Sequence, residues 1–563
     1  MLSSLRSGLS SRQPLWRALP WSLGLFTVYL GLVLLLQWRN GAFTGEFGAY
    51  SDEAAHFVAG VMVQDYLREG LSRSPQQFAE EFYSRYPKVA VGYWPPAFYI
   101  LQALWYWIFS PSRSSAMWLM ACATALLAWL IASTLRNEFG LRAAVLAGAL
   151  VVCWPVVQSV SASVMIEMPQ AVVTTLALYL HGSYLEQPSN RRALAFGVTV
   201  ALASLFKPLG GILLLMHVAT VVIARAAKLL RAPHFWLPFI VVLCMAGPWY
   251  VWTFRTLQQS PVDLPWFSSR IHAELANALL RQLASLSPSV FALLLFGMAL
   301  SWSRWTYLGR GRGIWISAAA LLLVFWLFEL VVPASRSARH STFVTAAIAW
   351  YVTAGLRDLA QSRIFQAVHP RVGRTAIVLI VSLIAAAYLQ RPVDTGPRGF
   401  QEVAAFLSSQ CQSSGWHPIV LVSSDEFGEG ALVCQFLLSR EACPWTVVRA
   451  SKLLTKSDWM GINYELRYRD PEQIRDQLAR LPIQWVVLDE REGRRYPHEV
   501  LLRGAIQRDP ATWRLIATGA RRTARGRVAG RLLMFARTSP PATAQPLVLD
   551  LTDRIGKQLR VNP

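Results

Sequence analysis

Asp52 and Glu53 stand side by side in the segment SDEAAHFVAGVMVQDYLREG, just past the first long apolar run of the chain. The segment has helical periodicity, which puts Asp52 and His56 on one face, four residues apart. A carboxylate at a protein–lipid boundary is costly unless solvated or paired, so it is a candidate for chemistry. Its natural work is to take a proton from a hydroxyl. The competing reading is an ordinary pair of acids at a helix start. A second acid, Glu167 in VMIEMPQ, lies between two apolar runs. Cations are spaced around these acids: Lys88 in YPKVAVGYWPPAFY, Lys207 in LFKPLGG, and Arg336 and Arg339 with His340 in SRSARH. Such side chains suit a phosphate, which guanidinium binds bidentately. Pro95 and Pro96 precede an aromatic run and suit a first helical turn. Asp52, His56 and Glu167 also offer a ligand set for a divalent metal. There is no P-loop or GxGxxG, so no nucleotide cofactor is expected.

These residues must be held by a membrane scaffold. Of 563 residues, 54% are hydrophobic and only 15% charged, against roughly a quarter charged in soluble domains. Mean hydropathy is +0.34. Apolar stretches recur from about residue 22 to 391, at lengths near the roughly 20 residues a bilayer core needs. About eleven spans are expected: Leu23–Trp38, Ala116–Leu135, Ala143–Val157, Ala171–Tyr184, Ala193–Leu205, Gly210–Ile223, Phe235–Val251, Pro288–Trp302, Ile314–Val332, Ser341–Leu356 and Ala376–Leu389. Ala97–Phe109 is too short to cross and rich in Trp and Tyr, so it is expected to lie on the outer face. With that choice every inner loop is basic, which sets the orientation. It also accounts for the net charge of +22 without nucleic acid, whose binding is not expected.

The expected domains are therefore three. Residues 1–20 form a basic cytoplasmic N-terminus, and 21–392 a transmembrane module with a catalytic outer loop at 39–115. Residues 393–563 form a soluble extracytoplasmic α/β domain. In that tail, helices are predicted over Gln401–Gln410, Gly428–Ser439 and Pro471–Leu481. Strands are predicted over Pro418–Ser424, Thr446–Ala450, Trp485–Asp489, Leu515–Thr518 and Leu532–Arg537. Cys411, Cys434 and Cys443 allow one disulfide there, with one thiol left over.

The ordered set resembles a family. It comprises the acidic pair after span one, Pro-Pro before the interface helix, RNEFG in the next inner loop, acid-x-Pro before span four, FKP after span five, and Arg339-His340 before span ten. It is similar to the GT-C membrane glycosyltransferases, in the branch of the protein O-mannosyltransferases and the lipid A aminoarabinose transferase. The resemblance covers about residues 20–360 and none of the tail. It implies a polyprenyl-phosphate sugar donor, an acceptor hydroxyl on a lipid, glycan or protein, and a multi-pass protein of the inner (plasma) membrane. By the same resemblance Asp52 is the general base and Glu53 its partner. Glu167 stands where Asp is commoner, and His340 where Tyr is commoner. Arg339, with Lys207 or Lys88, would stabilise the departing phosphate. A transporter or lipid flippase is the alternative, with the acids as a substrate site.

Overall fold

The computed structural model of the chain describes residues 19–89, 94–256, 277, 280, 285–331, 337–362, 370–411, 418–456, 464–493, 495–541, 545–551 and 557–561. The basic N-terminus, most of the segment 253–285 between the expected spans Phe235–Val251 and Pro288–Trp302, and Arg336 lie outside the described residues.

Each predicted span contains helix. In chain order the first twelve helices are α1 (Leu19–Arg39), α2 (Glu53–Arg68), α3 (Pro75–Arg85), α4 (Ala97–Phe109), α5 (Arg113–Phe139), α6 (Leu141–Cys153), α7 (Pro155–Ser161), α8 (Glu167–Glu186), α9 (Asn190–Phe206), α10 (Ile212–Ile223), α11 (Pro233–Met245) and α12 (Gly247–Thr256). Longer helices follow at Pro288–Leu300, Gly313–Val331, Thr345–Ala360 and Pro370–Leu389, with the single turn Trp302–Trp305 between the first two. Among the described residues three helices are by themselves long and apolar enough to cross a membrane: Ser22–Arg39, Arg113–Phe139 and Gly313–Leu330. The bent pairs α6–α7 (61°) and α11–α12 (46°) raise this to five. Both bends have local causes. Pro155 lacks the N–H that would continue α6, and Trp154 is extended. Gly247 and Pro248 interrupt the second pair.

Helix α4 has two faces. Phe98, Tyr99, Ala103 and Tyr106 are buried, largely against α2. Ile100, Leu104, Trp107, Ile108 and Phe109 are exposed. A 13-residue helix is only about 20 Å long, and its exposed rings suit a membrane interface. Deeper in the bundle, Ser317, His181 and His217 hydrogen-bond in series and end on the Phe235 carbonyl, tying together α8, α10, α11 and the helix Gly313–Val331.

The described residues of the tail form a five-stranded sheet among nine strands: β1 (Ile419–Ser423), β2 (Thr446–Arg449), β3 (Thr455–Lys456), β4 (Glu465–Leu466), β5 (Trp485–Arg491), β6 (Trp513–Arg522), β7 (Val528–Arg537), β8 (Leu547–Leu551) and β9 (Lys557–Val561). The main sheet runs β2-β1-β5-β7-β6. Strand β1 is parallel to β2 and β5, with Val420 opposite Trp485. Strand β7 is antiparallel to both β5 and β6. All of β1 is buried, as expected for an apolar strand covered on both faces. The helix Pro497–Gln507 and the pairs β3–β4 and β8–β9 were not anticipated. Strands β3 and β4, of two residues each, carry no periodicity to read. Cys411 and Cys443 form a disulfide, and Cys434 is buried and free.

Tail and helical part are joined by charge. Glu46 is buried and accepts the backbone N–H groups of Gly399, Phe400 and Gln401 at 3.0, 2.7 and 2.9 Å. These open the helix Phe400–Cys411, whose N-terminus favours an anion. Arg440 pairs through both Nη atoms with Asp65 of α2.

Candidate active site

Asp52 is the residue before the first turn of α2, and its side chain does not cap the helix. Instead Oδ2 accepts from Arg339 Nη2 at 2.7 Å. Arg339 lies in the short helix Ala338–Val344, with its guanidinium 5.4 Å from the Tyr50 ring centre. Tyr50 is in turn held by a 2.7 Å hydrogen bond to Ser159 of α7. On its other side Arg339 Nε lies 3.3 Å from Glu167 Oε1, which also accepts from Lys207 Nζ at 2.9 Å. Asp52, Arg339, Glu167 and Lys207 thus form one row of alternating charge. Each sits at or just beyond the end of a helix, so four separate elements meet here. The second oxygen of Glu167, Oε2, is buried without a hydrogen-bond partner among the described residues.

Burial pushes the Asp52 pKa up, but Arg339 and His56 outweigh it and hold the carboxyl below its ordinary value. His56 is buried one turn along α2, with Nδ1 3.0 Å from the Tyr99 hydroxyl. It is enclosed by the rings of Trp94 and Phe98. Burial brings its pKa down to about 4, with Asp52 and Glu167 only partly opposing, so the ring is neutral at neutral pH.

Glu53 has different company. Its Oε1 pairs with Arg113 Nη1 and accepts the Val164 N–H at 3.0 Å. Its Oε2 accepts the Ala49 N–H at 2.9 Å. Arg113 also donates to the carbonyls of Ala42 and Ala162, both at 2.8 Å. Glu53 was grouped with the catalytic acids from its place beside Asp52. Its fully buried carboxylate is instead occupied in fixing the starts of α2 and α5 to the loop before Glu167. Arg113 was missed, although it stands just before the expected span Ala116–Leu135, much as Arg339 stands just before Ser341–Leu356.

Lys88 is the cation here without a carboxylate partner among the described residues. Nζ donates to the Glu426 carbonyl at 3.3 Å. Burial and the neighbouring Arg449 bring its pKa down to about 8, and Asp52 and Glu429 act the other way. Pro96 stands immediately before α4, and Trp94 beside Pro95 supplies a ring to both His56 and Lys207. His340 turns from the row towards Glu329, with Nδ1 4.0 Å from its Oε1. The candidate metal set is not assembled: no cluster of three or more His, Cys, Asp or Glu suited to a metal occurs among the described residues. The reason is that Arg339 and Lys207 occupy the space around both carboxylates.

An apolar crevice of about 490 Å³ opens nearby. Its lining includes Trp154 and Thr345, which directly follows the short helix bearing Arg339, together with Arg142 and Arg357. Leu146, Leu150 and Ile348 are among its walls.

The sequence model of a family described as dolichyl-phosphate-mannose-protein mannosyltransferase matches residues 94–252. That segment holds Pro95, Pro96, Glu167 and Lys207, and leaves out Asp52 and Arg339. No curated protein sequence matches the chain. The structure superimposes on ArnT from Cupriavidus metallidurans bound to undecaprenyl phosphate with a TM-score of 0.53 and 14% identity, over 93% of this chain and 99% of that one. For the apo state of the same protein the TM-score is 0.52, with 15% identity over 93% and 100%. The molecule has a GT-C fold. Within this GT-C fold the charged row lies where helix ends meet near α2, and the tail helix Glu426–Leu438 packs on α2.

Proposed function

We propose that the protein is a membrane glycosyltransferase that moves a sugar from a polyprenyl-phosphate donor to an acceptor hydroxyl at the outer face of the membrane. The observation that carries this reading is the charge balance of the site. The two acids and two bases of the row cancel, and Lys88 is left as a surplus cation beside Asp52. An anionic substrate fits that surplus. ArnT, with the same fold, is known bound to undecaprenyl phosphate. The apolar crevice suits the isoprenoid tail of such a lipid.

In the proposed step the acceptor oxygen bonds to the anomeric carbon as the bond from that carbon to the phosphate oxygen breaks. The acceptor proton goes to Asp52, and the phosphate leaves with one more negative charge. Bound phosphate at Lys88 and Arg339 first draws Arg339 from Asp52, which raises the basicity of the carboxylate when it is needed. Protonation of Asp52 then frees Arg339 fully as the leaving phosphate gains charge. Glu167 keeps Lys207 and Arg339 in register, and Glu53 with Arg113 holds Asp52 in place.

The second reading, transport, draws on the buried His181–His217 pair, because ionisable groups deep in a span suit a transport path. The charged row supports surface chemistry instead, since its members sit at helix ends. The test uses full-length protein in proteoliposomes with a polyprenyl-phosphate sugar and candidate acceptors. Free polyprenyl phosphate should appear in step with glycosylated acceptor. Movement of lipid or solute across the bilayer with no glycosidic product would sink the proposal.

A further inference from the structure

We infer that the C-terminal α/β domain is a positioning device for Lys88, setting where its ammonium stands relative to Asp52. This rests on Lys88 as the donor-phosphate ligand. The helix Glu426–Leu438 of the tail packs on α2. At the crossing stands Gly430. A Cβ placed there would lie 2.9 Å from the Ala54 Cβ, 2.9 Å from Lys88 Cε and 3.4 Å from Lys88 Nζ. A glycine is needed there because the stem of Lys88 runs through the gap between the tail helix and α2, two residues from Asp52. The tail also supplies the acceptor for the ammonium, the Glu426 carbonyl.

The backbone before Lys88 is held by the same domain. Arg449, at the end of β2, donates from Nη1 to the Pro87 carbonyl at 3.3 Å. Glu429, fully buried in the tail helix, aligns that arginine through a 2.8 Å contact to Nε and takes the Ser451 N–H at 3.0 Å. Glu429 and Gly430 are adjacent, so one turn of one helix fixes both the backbone and the stem of Lys88. The ties at Glu46 and Asp65 keep that helix from sliding on α2. The half-buried setting also keeps the ammonium near its titration point, with a pKa of about 8.

The experiment compares full-length wild type, G430A, K88M and the double variant for the donor KM, kcat and the alkaline limb of the pH profile, with thermal unfolding as a fold check. G430A is expected to lower kcat/KM for the donor about 10- to 100-fold, the scale of a misplacement of about 1 Å, and to move the alkaline limb from about 8. On a K88M background G430A should add almost nothing, because both changes act through one ammonium. R449K, which keeps the charge but shortens the reach to Pro87, should change the same parameters in the same direction. Additive effects of G430A and K88M would overturn the positioning role and leave Lys88 as donor ligand. An unchanged donor KM in K88M would overturn the donor-binding reading itself.

Discussion

Replacing Asp52 by Asn tests the proposed base against a purely structural alternative. The asparagine carbonyl can still accept from Arg339, so the 2.7 Å contact that joins α2 to the helix Ala338–Val344 has a substitute and the fold should survive. The charge does not survive: the row, neutral in the wild type, becomes singly positive. An anionic donor should therefore bind at least as well, and its KM should stay level or fall. Losing a general base lowers kcat by about 10²- to 10⁴-fold, or roughly 2.7–5.4 kcal/mol of barrier at 1.36 kcal/mol per tenfold. Steady-state transfer with purified full-length protein, measuring polyprenyl phosphate release, separates the two parameters. The combination of a large drop in kcat with an unraised donor KM is distinctive. If Asp52 served only to hold Arg339, the variant would lose less than about tenfold in kcat, the scale of one weakened charge-assisted hydrogen bond. That result, in a variant with an unchanged unfolding midpoint, would refute the reasoning.

Three further outcomes are expected. Donor affinity should weaken as pH rises through about 8, since Lys88 binds phosphate only when protonated; the donor KM of K88M should lack that limb. E53Q should lower stability by about 3–5 kcal/mol, the usual cost of breaking a buried ion pair, read as a lower denaturation midpoint by tryptophan fluorescence. Retained stability would mean that Arg113 is held by its two carbonyl acceptors alone. Opening the Cys411–Cys443 bond with serines, at a sequence separation of 32, should destabilise the tail by about 3–4 kcal/mol on a chain-entropy estimate. Limited proteolysis of the tail checks this, and equal cleavage rates would contradict it.

The parts of the fold legible in the sequence were those written in local pattern. The run Ile419–Ser423 reads as a buried strand without help from any other residue, and Pro471–Arg480 announces itself through the Asp470 cap. The order of acid, acid, lysine and arginine likewise pointed to Asp52, Glu167, Lys207 and Arg339, which do meet in one row. What could not be read was which group pairs with which. Asp52 and Arg339 are 287 residues apart, and no periodicity links them. Glu53 and Asp52 are neighbours in sequence, yet one binds Arg113 and the other Arg339, because adjacent positions at a helix start point in different directions. Gly430 was invisible for a related reason. A glycine within an apolar helical pattern declares nothing until the helix it crosses is known.

The Glu46 tie has a consequence for synthesis. Glu46 emerges early, but the N–H groups it accepts come from residues about 353 positions later. At about 5–20 residues per second, the ribosome needs roughly 20–70 s to supply them. Through that interval Lys88 lacks its carbonyl acceptor, and α2 lacks the helix that covers it. The nascent chain therefore acquires its charged row before it acquires the cover that aims it. If the proposed function holds, catalytic competence arrives with the last quarter of the chain, after the helices have entered the bilayer. A truncated product released before that point would be inserted but silent.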